Sequence, residues 1–417
     1  MSFPATAGKM PAKKRLRFTG VNRLKILIVN KFLYPNGGSE TYIFKIGEQL
    51  QKCGHEVQYF GMEHSGRIVG NQLGLYTKDM DFHTGSLLSK FTYPVKTIYS
   101  SDAKRKMLAV LKDFQPDAVH LNNFNYQLTP TVILAVKQYE KESGRRVRLV
   151  YTAHDYQLVC PNHMMMTPSG QICEKCAGGH SINCFKNSCI HSSKLKSIIG
   201  AAEGCFWHSK KVYRWIDTVI CPTAFMASKI NQDPVFRGKT KVLYNFIDKV
   251  DKTPVQKEDY VLFFGRFSAE KGMETLIAAK DIDFVCAGSG PMEDAVNHSA
   301  HIRNVGFKTG KELEELIKKA ACSVYPSIWY ENCPFSVMES ISYGTPVVGA
   351  AIGGIPELID DGKTGFLFAP GNVKDFSDKV KALLGNKQLA LEMHKNCLNK
   401  KFMTVDQYCE KLLEIYS

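Results

Sequence analysis

The chain has 417 residues, of which 44% are hydrophobic and 11% aromatic, and its formal net charge at pH 7 is +14. This composition excludes a disordered or fibrous chain, and the length predicts two or three domains, each able to bury a core of its own. No apolar run approaches the roughly 18 residues of a membrane span, and residues 1–20 lack the apolar stretch of a secretion signal, which predicts a cytoplasmic protein.

Positive charge is concentrated in the first part of the chain. Residues 1–250 hold 35 Lys and Arg against 17 Asp and Glu, whereas residues 251–417 hold 19 against 23. The first part is therefore expected to face an anionic partner, for which nucleic acid, an anionic membrane surface and a phosphorylated acceptor all qualify. The basic residues are dispersed and form no recognised nucleic-acid-binding module, which argues against nucleic acid. Residues 1–22 are predicted to be a basic disordered arm.

The first predicted element is a βα unit. Lys25 to Asn30 reads KILIVN, a continuous apolar run that is typical of a strand in the middle of a parallel sheet. Gly37 and Gly38 follow in a flexible turn, and Ser39 can cap a helix whose apolar residues recur at helical spacing. A glycine turn between a strand and a helix lets the backbone approach a phosphate, although many such turns bind nothing.

Later strands of the same sheet are predicted at 118–121, 148–152 and 218–222. The second of these leads directly to His154, at the carboxyl edge where open α/β sheets bind their ligands. A lone histidine at a strand end is more often structural, so the residues alone leave both roles of His154 open. Residues 65–105 show little periodicity and are predicted to be loops and short helices beside a binding cleft.

Five of the thirteen cysteines fall within one short segment, 160–191. They form a Cys-x2-Cys pair and a Cys-x4-Cys pair with one cysteine ahead. Disulfides are not expected in the cytosol, and two close pairs are typical of a structural zinc site. The gap between the pairs is short for a zinc ribbon, so a free-thiol loop or a redox switch stays open. The predicted zinc ligands are Cys173, Cys176, Cys184 and Cys189, with Cys160 or His180 as substitutes.

A polar linker at 251–259 precedes a second run of alternating strands and helices. Apolar runs are short here and alternating stretches are rare, which predicts a parallel sheet covered on both faces. One strand ends at Gly265 and Arg266, and Lys271 opens the next helix. Arg offers a planar fork and Lys a compact charge, a pair suited to a diphosphate at the carboxyl edge of the sheet.

The next motif is a pair of carboxylates, Glu331 and Glu339, with Pro334 between them. Because proline is favoured in the first turn of a helix, Glu331 is predicted in a loop and Glu339 in the helix that follows. The backbone N–H groups of Phe335 and Ser336 would then be free at the positive end of the helix dipole. Such a helix end suits a phosphate or a sugar hydroxyl.

Three motifs together resemble a known family: GRxxxEKG at 265–272, E-x7-E at 331–339, and GTPVV followed by GGIPE within 344–357. They are similar to those of the retaining glycosyltransferases of family 4, which have the GT-B fold and use nucleotide-sugar donors. That fold consists of two Rossmann-like, doubly wound α/β domains facing across a cleft. The pair Gly353 and Gly354 is predicted to let the backbone come close to the bound ligand.

The resemblance implies a division of the chain into domains. Residues 23–240 would form the acceptor-side domain, with the cysteine-rich segment 160–191 as an insertion. Residues 241–400 would bind the nucleotide sugar. Residues 401–417 would form a helix that packs back toward the domain junction.

The resemblance also implies roles for the site residues. Glu331 would hold the donor sugar, Glu339 the ribose hydroxyls, and His154 would reach the donor sugar. The predicted catalytic residues are His154, Glu331, Arg266 and Lys271. The predicted donor-binding residues are Gly37, Gly38, Gly265, Arg266, Lys271, Val305, Gly306, Asn332, Cys333, Pro334, Phe335, Ser336 and Glu339.

The function expected from the resemblance is transfer of a sugar from a UDP- or GDP-sugar to a hydroxyl of a glycan or lipid-linked acceptor, with retention of configuration. Cell-surface polysaccharide synthesis at the inner face of the membrane is the expected setting. The leaving diphosphate would be stabilised by Arg266, Lys271 and the helix N-terminus, without a catalytic cofactor. A nucleotide-sugar 2-epimerase of the same architecture is the alternative, and a requirement for an acceptor separates the two. A basic nucleic-acid-binding protein is the alternative from another class.

Overall fold

A computed structural model describes residues 23–78, 96–253 and 255–417. The predicted basic arm at 1–22 lies outside the described residues, as does part of the weakly periodic region 65–105. Within the described part, no helix has the length and apolar character needed to cross a membrane.

The first half forms a parallel sheet that has six strands among the described residues, in the order β2-β1-β3-β4-β5-β6. The strands are short, and all except the edge strand Thr240–Val242 are mostly buried, because helices cover both faces of the sheet. The predicted strands near 25–30, 118–121, 148–152 and 218–222 are confirmed to within a residue. The strands are Lys25–Val29 (β1), Glu56–Phe60 (β2), Ala118–Leu121 (β3), Arg148–Thr152 (β4), Thr218–Cys221 (β5) and Thr240–Val242 (β6).

The helices of the first half connect these strands. The predicted first helix is confirmed and ends just before Gly54, whose φ of 95° is easy only for glycine. A helix starting at Ser101 was not predicted, although the Ser100 side chain caps it by accepting a hydrogen bond from the Ala103 N–H. The helices are Gly38–Lys52 (α1), Ser101–Phe114 (α2), Thr131–Ser143 (α3), Ile182–Lys186 (α4), Lys194–Ser209 (α5) and Ala224–Ile230 (α6).

The second half repeats the architecture, with a parallel sheet of six strands among the described residues in the order β10-β9-β8-β11-β12-β13. The predicted parallel character is confirmed, since every pairing in this sheet is parallel. The strands are Phe246–Ile247 (β7), Glu258–Arg266 (β8), Phe284–Ser289 (β9), Ile302–Asn304 (β10), Ala320–Tyr325 (β11), Val347–Ala350 (β12), Gly365–Phe368 (β13) and Met403–Thr404 (β14). The helices are Met273–Ala278 (α7), Glu293–Asn297 (α8), Gly310–Lys319 (α9), Phe335–Ser342 (α10), Val373–Leu384 (α11), Lys387–Asn399 (α12) and Val405–Tyr416 (α13).

The last helix, α13, returns to the first half of the chain. Its apolar face packs with α1 in the core beneath the first sheet. The Tyr408 hydroxyl lies 2.9 Å from that of Tyr42, and the Tyr416 hydroxyl lies 2.6 Å from Nδ1 of His120. Strand β14 pairs with β7 just before this helix. The end of the chain is therefore part of the core of the first half.

Candidate active site

A cleft of about 380 Å³ is lined by residues from both halves of the chain. From the first half it takes residues at the carboxyl ends of β3 and β4 and at the start of α1. From the second half it takes the loop between β11 and α10. The lining residues are Gly38, Ser39, Asn123, His154, Asp155, Tyr156, Asn245, Lys271, Tyr325, Trp329, Tyr330, Glu331, Asn332, Cys333, Pro334, Phe335 and Ser336.

Glu331 is the most constrained charged group of the cleft and is only 4% exposed. Its Oε1 atom accepts hydrogen bonds from Lys271 Nζ at 2.7 Å, from Ser327 Oγ at 2.6 Å and from Trp329 Nε1 at 2.7 Å. In the described part of the chain, Oε2 has no hydrogen-bond partner. One oxygen is thus fixed by the protein, and the other is available to a ligand.

Lys271 lies between Glu331 and the aromatic floor of the cleft. Its ammonium group is within 5.7 Å of the Tyr325 ring and 5.4 Å of the Trp329 ring. Burial opposes its charge, but the Glu331 carboxylate raises the pKa of Lys271 above its ordinary value. The side chain therefore stays cationic, as a phosphate-binding lysine must.

The N-terminus of α10 opens into the same cleft. Pro334 precedes the helix, and no side chain caps it. The N–H groups of Phe335 and Ser336 therefore have no partner within the helix. A Cβ atom at Gly38 would lie 3.8 Å from the Phe335 ring, so the glycine turn of the first half faces this helix end. Two predicted donor-binding segments that are far apart in the sequence, the glycine turn and the start of α10, therefore meet here through the tertiary structure.

His154 follows β4 and contacts the cleft as a neutral imidazole, because burial lowers its pKa to about 4. Its Nε2 lies 2.8 Å from Oδ1 of Asn122. The amide nitrogen of Asn122 donates to the carbonyls of Val29 and His120, which fixes Oδ1 as the acceptor. His154 therefore carries its proton on Nε2 and keeps Nδ1 as a hydrogen-bond acceptor.

Glu339 lies one turn inside α10 and is half-buried. Burial raises the pKa of its carboxyl group, and the nearby Lys45 partly opposes this effect. In the described residues it has neither a hydrogen bond nor an ion pair. Glu331 and Glu339, which share one sequence motif, therefore differ: the first is held by three donors and the second is unsatisfied.

The other predicted donor-binding residues lie along the edge of the second sheet, outside the lining of the cleft. Arg266 ends β8 with an exposed side chain. The Gly288 N–H donates to the Gly306 carbonyl at 3.0 Å. A Cβ atom at Gly288 would lie 1.9 Å from the Gly265 carbonyl oxygen. The turns that carry Gly265 and Gly306 are thus neighbours, while Val305 packs on the core beside them.

Two further predictions are refined by the structure. Cys333 is buried in the core, so only its backbone can reach a ligand. A Cβ atom at Gly353 would lie 2.3 Å from the Glu331 carbonyl oxygen, and one at Gly354 would lie 1.8 Å from that of Asn332. The glycine pair therefore lets the backbone approach the loop that carries Glu331, whereas the sequence predicted a close approach to the ligand.

Sequence reasoning missed Ser327 and Trp329, the two donors that fix Glu331. Both stand within four residues of Glu331, in an irregular loop that has no periodicity to mark them. It also missed Glu357, which accepts hydrogen bonds from the N–H groups of Ala224 and Phe225 at 2.8 and 2.6 Å. These contacts join the two halves beside the cleft.

The cysteine-rich segment gathers its thiols without bringing them to one point. Cys176 and Cys184 are buried together, and the thiols of Cys184 and Cys189 are hydrogen-bonded. Burial, with the neighbouring thiols, raises the pKa of Cys176 to about 12. In the part of the chain that the structure describes, no group of three His, Cys, Asp or Glu side chains is placed to hold a metal ion. Zinc at this segment stays a prediction, and elemental analysis expecting about one Zn per chain tests it against the free-thiol alternative.

The sequence matches two families of glycosyltransferases. Residues 36–250 match the family described as Glycosyltransferase Family 4, and residues 246–400 match Glycosyl transferases group 1. Among curated relatives, an uncharacterized 42.6 kDa protein in the cps region of Klebsiella pneumoniae is 23% identical over 80% of this chain and 87% of its own. An uncharacterized glycosyltransferase of Methanocaldococcus jannaschii is 27% identical, over 45% of this chain and about half (55%) of the relative.

Solved structures share the fold over nearly the whole chain. Sucrose-phosphate synthase from Thermosynechococcus elongatus aligns with a TM-score of 0.64 at 17% identity, covering 94% of this chain and 98% of the other. The Anabaena protein HepE in complex with UDP and glucose aligns with a TM-score of 0.63 at 16% identity, covering 94% and 99%. These likenesses confirm the predicted GT-B fold. With the two family matches, they show that the chain belongs to glycosyltransferase family 4.

Proposed function

We propose that this protein is a retaining glycosyltransferase that moves a sugar from a UDP- or GDP-sugar to a hydroxyl of a glycan or lipid-linked acceptor in cell-surface polysaccharide synthesis. The name of the Klebsiella relative, which refers to a cps region, supports the setting. The structural neighbour HepE binds UDP and UDP-glucose in its solved complexes, which supports a nucleotide-sugar donor.

The observation that carries the proposal is the arrangement around Glu331. Its Oε1 is held by Lys271, Ser327 and Trp329, and its Oε2 is free beside the N-terminus of α10. A carboxylate whose orientation is fixed in this way can accept hydrogen bonds from sugar hydroxyls at low entropic cost. Three donors on one oxygen also lower its electron density, so we assign Glu331 to holding the donor sugar and not to nucleophilic attack.

The departing diphosphate would be stabilised by positive groups of the second half. Lys271 and the free N–H groups of Phe335 and Ser336 line the cleft, and Arg266 lies at the adjoining sheet edge. Fixed donors aimed at developing negative charge are the largest single contribution in many enzymes. His154 is neutral and can accept a hydrogen bond from a donor hydroxyl at Nδ1 without adding charge.

A donor screen tests the proposal. The protein is incubated with UDP-, GDP- and ADP-sugars in the presence and absence of glycan acceptors, and release of nucleoside diphosphate is measured. Release that requires an acceptor, with the product anomer matching the donor anomer by NMR, is the expected result. Conversion of the donor sugar without any acceptor would point to an epimerase, and no turnover of any donor would contradict the proposal.

We also propose that the protein meets its acceptor peripherally at an anionic membrane surface. The basic residues of the first half support this only in part, because many are already paired: Arg105 and Lys106 contact Asp102, and Arg145 contacts Asp117. Each unpaired cation near the surface would contribute ~1 kcal/mol of attraction. Co-sedimentation with anionic and neutral liposomes at low and high salt tests it, and equal pelleting in all conditions would contradict it.

A further inference from the structure

The cysteine-rich segment 160–191 contacts Tyr330, a residue that lines the cleft, through Glu174. Glu174 stands between the first two predicted zinc ligands and contacts Tyr330 of the second half. Its Oε1 accepts hydrogen bonds from Lys229 Nζ and from the Tyr330 hydroxyl, both at 2.7 Å, and its Oε2 accepts one from Gln232 Nε2 at 2.5 Å. Two of these partners belong to the first half, while Tyr330 belongs to the loop between β11 and α10.

Tyr330 is held on its other sides as well. Its ring lies 4.7 Å from the Phe225 ring and 6.2 Å from the Tyr156 ring, measured between centroids, and Lys229 Nζ lies 5.0 Å from its centre. These neighbours confine the plane of the ring. Among the described residues, the hydrogen bond to Glu174 alone fixes the position of the Tyr330 hydroxyl.

The peptide of Tyr330 leads directly to Glu331. The Glu331 carbonyl accepts a hydrogen bond from the Gly354 N–H at 2.7 Å, and the close approach of Gly353 leaves no room for the loop to relax toward that side. A displacement of Tyr330 would therefore move the backbone of Glu331 and turn its free Oε2 away from the donor sugar.

We propose that Glu174 is a positioning residue of the donor site, which fixes Tyr330 and through it Glu331. This inference rests on the proposed function of Glu331 in holding the donor sugar. It makes the cysteine-rich segment a support of the active site, whether or not that segment binds a metal. A shift of 1 Å in a group that orients substrate is enough to lower the rate strongly.

The test is a double-mutant cycle with Glu174→Leu, which leaves no acceptor for the Tyr330 hydroxyl, and Tyr330→Phe, which removes that hydroxyl. Each single variant is expected to lower kcat about tenfold, as loss of a hydrogen bond to a charged group does, with a smaller change in the donor KM. The double variant is expected to match either single variant, because both remove the same contact. Additive losses in the double variant, or kcat values equal to those of the controls, would overturn the proposal.

Two matched controls separate positioning from general stability. Glu140→Leu removes a carboxylate that likewise has three partners, Lys137, Arg146 and the Val147 N–H, on the helix α3. Tyr260→Phe removes a phenolic hydrogen bond to the Leu316 carbonyl in the second half. Both controls are expected to have the kcat of the unmodified protein. Their thermal midpoints are expected to be similar to those of the two test variants.

Hydrogen exchange of residues 327–336 in the substrate-free protein gives a readout that needs no turnover. Faster exchange of this loop in Glu174→Leu and Tyr330→Phe, but not in the controls, supports the link even if no donor is converted. Unchanged exchange in both variants overturns it. Failure of the donor screen with the unmodified protein would instead contradict the proposed function.

Discussion

The two halves of this protein have the same sheet architecture but contribute to the cleft in different ways. The second half supplies groups from two short segments, 265–272 and 329–339, which bring the Lys271 ammonium group and the N-terminus of α10 to the cleft. The first half supplies single side chains from separate strand ends, among them Asn123 after β3 and His154 after β4. The difference teaches that the groups that we propose for the leaving diphosphate are concentrated in short motifs of one half, whereas the opposite wall is assembled by the fold.

The two halves also differ in the charge of the side chains that they bring to the cleft. Lys271 stays charged beside Glu331, while His154 is half-buried and neutral, with its pKa lowered to about 4 by desolvation. The excess positive charge of the first half lies largely outside the cleft, where ion pairs such as those of Arg105 and Arg145 neutralise part of it. Net charge along the sequence therefore does not show which half stabilises the phosphate.

The largest expected effect tests the charged half. Lys271→Ala should lower transition-state stabilisation by ~2–4 kcal/mol, because it removes a donor near the developing charge and leaves Glu331 without its ion pair. The measurement is kcat/KM for the donor that the screen identifies. Lys280→Ala, at an exposed position of the same half, is the control. A folded Lys271→Ala protein with nearly unchanged kcat/KM would contradict the proposed role of Lys271 in stabilising the leaving diphosphate.

The second prediction concerns a buried carboxyl group of the first half, Glu203. It is 3% exposed, its Oε1 has no hydrogen-bond partner among the described residues, and burial raises its pKa from 4.5 to about 8. Between pH 4.5 and about 8, the folded state therefore keeps a proton that the unfolded state releases. The free energy of unfolding decreases as the pH rises through this interval. At pH 7 the loss amounts to about 3 kcal/mol.

Glu203→Gln keeps the shape of the side chain and removes the titration. Between pH 5 and 8, the free energy of unfolding of the unmodified protein should fall because Glu203 favours the neutral form in the folded state. The Glu203→Gln variant should lack this fall. Urea denaturation at several pH values measures the difference. Glu142→Gln, on the exposed face of α3, is the control. Parallel profiles for Glu203→Gln and the unmodified protein would show that the carboxyl group is not held neutral.

The third prediction tests the backbone packing behind the charged loop. Gly353→Ala should destabilise the protein by about 2–3 kcal/mol and lower activity, because φ is +62° and a Cβ atom would collide with the backbone of Glu331. Gly371→Ala has the same backbone strain, with a φ of +75°, but no atom within 4 Å of the added carbon. It should cost about 1 kcal/mol and leave kcat/KM unchanged. Equal effects of the two substitutions on activity would refute the packing role of Gly353.

The smallest expected effect separates the two carboxylates of the shared motif. Because the pKa of Glu339 is raised by burial, donor affinity should fall as the pH is lowered through that pKa and the carboxylate is neutralised. Glu339→Gln should raise the donor KM about tenfold near neutral pH and flatten its dependence on pH. A steep pH dependence that persists in Glu339→Gln would assign the titration to another group.

Much of the fold follows from patterns within a few residues. The strands β1, β3, β4 and β5 are continuous apolar runs, which only a sheet covered on both faces accommodates, and Pro334 marks the start of α10. Helix α2 escaped prediction because its amphipathic pattern begins inside a polar, weakly periodic region. The predicted donor-binding segments are recognisable in the sequence because each is contiguous and carries charged or glycine residues at a fixed spacing.

The sequence by itself determined two parallel α/β sheets, the order of their strands along the chain, and the short segments that carry Lys271, Glu331 and His154. The tertiary structure alone decided that Ser327 and Trp329 fix Glu331, that Gly353 packs against its backbone, and that Glu174 reaches Tyr330 from 156 residues away. The physical reason is one of range. Burial patterns and helix starts depend on neighbouring residues, whereas a hydrogen-bond partner depends on the path of the whole chain, which local sequence patterns do not record.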